Sequence, residues 1–185
     1  MAADNPGAAP AAIAVLAAAH AEADRTDEAR RRLEELASKG FELPLDMLWT
    51  TGMTMYAEAG IECRDTKYAQ PLFDRLAPWA HRLSFSSAAA EGPVSHYLGG
   101  LATVLGRYDE AEAYFAQSAA MGDRIGAKFF AARTDLSWGK MLIERQAPGD
   151  AVMAQDLLTK AQAAATANGY GNVERRAAAA LHGLG

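Results

Sequence analysis

The sequence predicts an all-α protein of about nine helices, arranged as a solenoid of stacked antiparallel helix pairs. Three observations carry this expectation. Helix signals recur along the 185 residues, while period-two strand patterns do not. Alanine supplies roughly a quarter of the chain, and it is both the strongest helix former and small enough to let helix axes approach closely. Finally, an alanine recurs near the start of every second helix (Ala29, Ala69, Ala111, Ala154) at a spacing of about 40 residues, the mark of one structural unit repeated.

Residues 1–10 are small, polar and proline-bearing, and read as a flexible N-terminal segment. They lack the charged start and apolar centre of a signal peptide. Residues 11–185 read as one helical-repeat domain. Ala11 to Ala23 forms a first alanine-rich helix carrying Ile13, Val15 and Leu16. Thr26-Asp27-Glu28 opens a second, with Leu33 and Leu36 on its buried face and Gly40 as its stop. Pro44 and Asp46 introduce a third, through Trp49, Met53 and Tyr56. Asp65 or Thr66 starts a fourth with the stripe Leu72, Phe73, Leu76, and Pro71 falls just past its first turn.

Pro78 and Pro93, with Ser84, Ser86, Ser87 and Gly92, bracket a looser stretch, Arg82 to Gly92, that predicts a long loop. Beyond it come a fifth helix from Val94 to Leu105, a sixth from Tyr108 to Met121 and a seventh from Ala127 to Glu144. Pro148-Gly149-Asp150 begins an eighth, which closes near Gly169, and Val173 to Leu181 gives a short ninth.

The most complete repeat reads Leu98-Gly99, two residues, Ala102, then Gly106-Arg107-Tyr108-Asp109-Glu110-Ala111 and Tyr114-Phe115. It resembles a tetratricopeptide repeat, which joins a Leu-Gly helix to a second helix through a Gly-x-Tyr-x-Glu-Ala turn. Gly99 and Ala102 suit a close helix approach, Gly106 suits a left-handed turn, Ala111 a tight crossing, and Phe115 the space between pairs. Partial copies surround Leu16-Ala17 with Ala29, Gly52 with Ala69, and Gly139 with Ala154. The resemblance implies a right-handed solenoid.

The stretch from Gly92 to Leu181 also resembles the C-terminal helical region of actinobacterial signalling regulators. Those proteins join a nucleotide cyclase-like or LuxR-type DNA-binding domain to a STAND ATPase and then to tetratricopeptide-like repeats. The run Leu101 to Ala111, then Asp123-Arg124-Ile125-Gly126-Ala127, Ala132-Arg133-Thr134 and Leu157-Leu158 with Ala161 carry the likeness. These are packing motifs. The Gly-x-x-x-x-Gly-Lys-[Ser/Thr] phosphate loop is missing from this sequence. The resemblance therefore implies a sensor or scaffold arm without its catalytic domains.

Composition narrows the functional classes. A formal net charge of −5 disfavours direct nucleic-acid binding, which needs a basic face. The pairs Arg31/Arg32 and Arg175/Arg176 sit among glutamates on helical stretches and read as solvated faces. Cys63 is the only cysteine, so an internal disulfide or a multi-cysteine zinc site is impossible. A cytoplasmic location is expected, with no membrane partner because no apolar run approaches bilayer length. The histidines His20, His81, His96 and His182 have no second histidine or cysteine at ligand spacing, and Ser86-Ser87 lacks a nucleophile elbow. No catalytic residue, metal or cofactor is expected.

In stacked tetratricopeptide pairs the first helix of each pair lines a concave groove. Registering on Gly52, Gly99 and Gly139 assigns to that groove Trp49, Met53 and Tyr56, then His96, Gly100 and Thr103, then Arg133, Leu136 and Lys140. Such a groove suits a peptide or an amphipathic helix. The plain alternative places Trp49 and Met53 in the core. His96 and Gly100 stand where chaperone-tail clamps carry lysine and asparagine, which disfavours that variant.

The expected function is a non-enzymatic protein–protein interaction module, the sensor or scaffold arm of an ATPase-linked signalling or transcriptional regulator. A small-ligand or peptide receptor with a closed groove is the first alternative, and an enzyme assembled around His96, Arg133 and Lys140 the second. The apolar Ile13, Val15 and Leu16 make the first helix a poor polar cap, so this end is expected to continue against an upstream domain or, by self-association through the N-terminal pair, against a second copy.

Overall fold

The computed structural model describes residues 8–23, 25–86 and 89–184. Of the expected flexible segment, residues 1–7 lie outside the described residues, and the first helix begins earlier than expected, at Ala8. Among the described residues there are nine α-helices, a short 3-10 turn and one two-stranded sheet, so the all-α expectation holds at the level of class. The chain divides into two compact units, Met1–Gly106 and Arg107–Gly185, where the sequence predicts one domain. The division falls inside the turn of the most complete repeat, where Gly106 takes a positive φ of 71°.

The first unit contains α1 (Ala8–Glu22), α2 (Thr26–Ala37), α3 (Trp49–Cys63), α4 (Thr66–Leu76), β1 (Leu83–Phe85), β2 (Ala90–Pro93) and α5 (Val94–Val104). Helix α1 packs on α2 and α3, and α3 packs on α4 and α5. Its core is drawn from Leu33, Met53, Leu72, Leu76, Val94, Tyr97, Leu98 and Leu101, all sealed from solvent. Asp65 caps α4 by accepting from the Lys67 amide at 2.9 Å. Pro71 is accommodated inside that helix.

The loop expected over 82–92 is instead a small antiparallel hairpin, pairing Leu83 with Pro93 and Ser84 with Gly92. Strands of three and four residues are too short to write a period-two pattern, which is why the sequence reads as loop there.

The second unit contains α6 (Tyr108–Ile125), α7 (Lys128–Arg145), α8 (Asp150–Asn168) and α9 (Gly171–His182). Its core joins Ala132 and Leu136 of α7, Leu158, Ala161 and Ala165 of α8, and Val173 and Ala177 of α9. Helix α6 runs four residues past the expected Met121. Gly122 is buried within the added turn, with Ala131 3.6 Å from where its Cβ would stand, and the left-handed Gly126 ends the helix. Arg145 fastens one end of this unit. Its guanidinium donates two hydrogen bonds to Asp150, at 2.8 and 2.9 Å, and a third to Glu112 at 2.6 Å. The hydrogen bonds from Arg145 hold the Asp150 carboxyl below the usual range.

The four alanines share one structural position. Ala29, Ala69 and Ala111 are each the fourth residue of their helix, Ala154 is the fifth of α8, and all four are fully buried. Four residues further on stand Leu33, Phe73, Phe115 and Leu158, and seven further on Leu36, Leu76, Ser118 and Ala161, every one buried. A residue pair at i and i+4 shares one helix face, so α2, α4, α6 and α8 bury the same face in the same register.

The buried glycines Gly52, Gly100 and Gly139 do not share one role. A Cβ at Gly52 would stand 3.0 Å from Leu43 and 3.8 Å from the α1 backbone at Ala11. One at Gly100 would meet Ile61 of α3 at 2.5 Å. Both therefore serve contacts between alternate helices. Gly139 instead receives Leu158 of α8, 2.7 Å from its would-be Cβ.

Candidate functional site

Trp49, Met53 and Tyr56 are core residues, 7%, 0% and 2% exposed. They follow the plain alternative and offer no groove face. Trp49 packs against Trp79, with ring centroids 5.2 Å apart, and burial pushes the Tyr56 hydroxyl up to about 12. Among the other groove candidates of the first unit, His96 is buried with its ring edge-on to Tyr97 at 5.2 Å. Gly100 is covered by Ile61, and Thr103 donates to the Gly99 carbonyl within its own helix. In the second unit Leu136 is core, Arg133 is half-buried with its guanidinium over Phe129, and Lys140 is exposed. His96 thus belongs to one unit and Arg133 and Lys140 to the other.

The other singled-out side chains are also accounted for. The repeat-packing residues Ala29, Ala69, Gly99, Ala111, Phe115 and Ala154 are buried. Cys63 is buried, its Sγ directed at the Thr26 carbonyl and its thiol pushed up by burial, the opposite of an activated nucleophile. His20 is half-buried and lowered by burial and by Arg25, Arg32 and Arg31, whereas His81 and His182 are exposed. Ser86 shapes the hairpin turn through Ala89, and Ser87 lies outside the described residues. Among the described residues no three His, Cys, Asp or Glu side chains gather to hold a metal.

Sequence reasoning missed a buried polar cluster between the hairpin and α3. Glu91 on β2 is 7% exposed, and its Oε2 accepts from Thr51 at 3.2 Å and from Ser84 at 3.1 Å. A carboxylate only accepts, so Ser84 gives it its single proton; the Thr54 hydroxyl lies 3.1 Å from Ser84 and donates to the Thr50 carbonyl at 2.9 Å. Tyr97 of α5 donates to the Glu91 carbonyl at 2.9 Å. Ser95, wholly buried, has no partner for its Oγ. The cluster fixes the hairpin on α3 and α5 through hydrogen bonds. Replacing Glu91 by alanine leaves two buried hydroxyls without their acceptor. The expected loss is about 1–3 kcal/mol, with amide exchange accelerating first over residues 83–93, as hydrogen-exchange mass spectrometry would record. Unchanged protection there would show that the strands are held by other contacts.

A second buried carboxylate, Asp135 on α7, faces Lys160 of α8 at 3.0 Å and also feels Asp123. Burial raises its pKa, and the hydrogen bond from Lys160 only partly offsets that. A raised folded-state value means the native state binds the proton more readily than the unfolded chain. Stability from this group therefore rises as pH falls through the raised value toward about 4. Asp150, held low, acts with the opposite sign. The Asp135→Asn protein is expected to lose that acid-side gain, so its urea stability relative to the wild type falls progressively between neutral pH and about pH 4. A constant difference across that window would contradict the assignment.

Compared with known proteins, the chain matches no family model, no curated protein and no solved structure. No described helix is long and apolar enough to cross a membrane.

Proposed function

We propose that the chain is a tetratricopeptide-like protein–protein interaction module, a right-handed solenoid of helix pairs that does no chemistry of its own. The observation that carries this reading is the common register of α2, α4, α6 and α8, each burying an alanine, then a large apolar residue four positions on. Repeated units of this kind bury one face against a neighbour and present the other outward. The buried polar groups support the same reading, since Glu91 and Asp150 are engaged in fastening elements together. By the sequence resemblance, the module serves in the cytoplasm as the sensor or scaffold arm of an ATPase-linked signalling or transcriptional regulator. A partner bound there shifts such a regulator only by binding its two states unequally.

Affinity capture of the intact chain from its source cells tests this. The reading expects a protein retained in fixed stoichiometry through successive washes. No retained protein, together with a rise in melting temperature on adding a small metabolite or peptide, would replace it with the ligand-receptor alternative.

A further inference from the structure

The junction of α6 and α7 breaks three local rules, and all three side chains are exposed. Ile125 and Phe129, on either side of Gly126, are 47% and 40% exposed, a paired apolar surface left in water. Between them Lys128 is the first residue of α7, where the helix dipole favours an acid, and the first turn of that helix carries none. Departures of this kind concentrate at functional sites. The junction is also held in one shape. Gly126 takes a left-handed φ of 66°, its amide donates to the Asp123 carbonyl at 3.2 Å, and the Ala127 amide donates to the Gly122 carbonyl at 3.0 Å. Phe129 is packed edge-on against Tyr170 at 5.1 Å and Phe130 at 5.4 Å. A surface fixed in its binding conformation loses little entropy on docking.

The charges around this ring are mostly positive. Arg124 and Lys128 are exposed and enter no ion pair among the described residues, and Arg133 lies over the Phe129 ring at 5.9 Å. The one acid between residues 123 and 133 is Asp123. The next acid along α7, Asp135, is buried and faces Lys160 at 3.0 Å. Past Tyr170, α9 adds Glu174, engaged by the Thr166 hydroxyl at 2.7 Å, together with Arg175 and Arg176. In a chain of net charge −5 this is a local reversal of sign around a fixed aromatic side chain. Such a surface selects an anionic partner with an apolar anchor. Single-stranded nucleic acid would need cations that track a run of phosphates, whereas Arg124, Lys128 and Arg133 are confined to one helix junction.

We propose that the α6–α7 junction is the docking surface for an acidic segment of a partner protein. An apolar side chain of that segment lies on Ile125 and Phe129, and carboxylates on either side of it meet Arg124 and Lys128. The proposal rests on the interaction-module reading and names the chemistry of the partner.

Selection of a random peptide display library on the intact chain tests this. The retained peptides are expected to be enriched in aspartate and glutamate around a leucine or an aromatic residue. A labelled member is expected to bind with a dissociation constant of about 1–100 μM, and more weakly as salt rises. Arg124→Glu/Lys128→Glu and, separately, Ile125→Ser are each expected to weaken that binding at least about tenfold. Lys128→Glu alone is expected to lose affinity while its melting temperature holds or rises, because a carboxylate suits a helix start. Retained peptides that are neutral or basic, or binding that survives the charge reversals, would overturn the proposal. So would a labelled oligothymidine that binds more tightly and displaces the peptide, which would make the surface a nucleic-acid site. A protein captured from cells equally well by the wild-type and Lys128→Glu chains would sink this inference alone and leave the interaction-module reading standing.

Discussion

Replacing Trp49 and Tyr56 together by alanine is expected to unfold the Met1–Gly106 unit and remove its helical signal. Trp49 is 7% and Tyr56 2% exposed, and Met53 between them is fully buried, so α3 presents this stripe to the interior. Truncating a buried aromatic to alanine costs about 3–5 kcal/mol. Two such losses on one helix approach the entire 5–15 kcal/mol that holds a typical domain together. Trp79 would also lose the ring it packs against at 5.2 Å. Circular dichroism melts of the double variant check this directly. A protein that kept its melting transition and lost only a binding partner would return the stripe to a groove.

The second large effect concerns one close contact in the other unit. A methyl group at Gly139 would stand 2.7 Å from Leu158 Cγ, with the Ala154 carbonyl at 3.4 Å limiting retreat. Leu158 is itself fully buried. Gly139→Ala gains up to about 1 kcal/mol of helix propensity and loses about 1–3 kcal/mol to overpacking, so a net destabilisation is expected. Leu158→Ala alone opens a cavity at a cost of about 2–5 kcal/mol. Combined, the new methyl occupies space that the leucine vacates, so the double variant is expected to be more stable than the sum of the two singles requires. A coupling of about 1 kcal/mol or more in urea denaturation would confirm the direct contact. Strict additivity would mean that α7 and α8 separate to accommodate the methyl.

What the sequence made legible follows from what each residue must do locally. Asp65 and Gly169 act at helix ends, where a cap or a positive φ is set within a few residues, and those ends lie within one residue of expectation or match it, whereas α6 runs on to Gly126, past the expected Met121. The periodic alanines were legible because a close crossing admits no larger side chain. The hairpin was not, since Ser84 and Glu91 acquire their meaning from Thr51 and Thr54, some 30 and 40 residues away. Periodicity could not tell a core stripe from a groove stripe either, because Trp49, Met53 and Tyr56 have the same spacing in both. Gly139 was legible as a close approach, but which helix approaches it is a tertiary fact.

The mass of the protein in its source cells, read by immunoblot on denaturing and on native gels, tests the central claim most directly. The expected result is either a denatured band several times larger than 19.6 kDa, the repeat arm of a regulator, or a band of that size that enters a larger native complex. A species that runs at 19.6 kDa denatured and as a lone monomer in the native gel would contradict it.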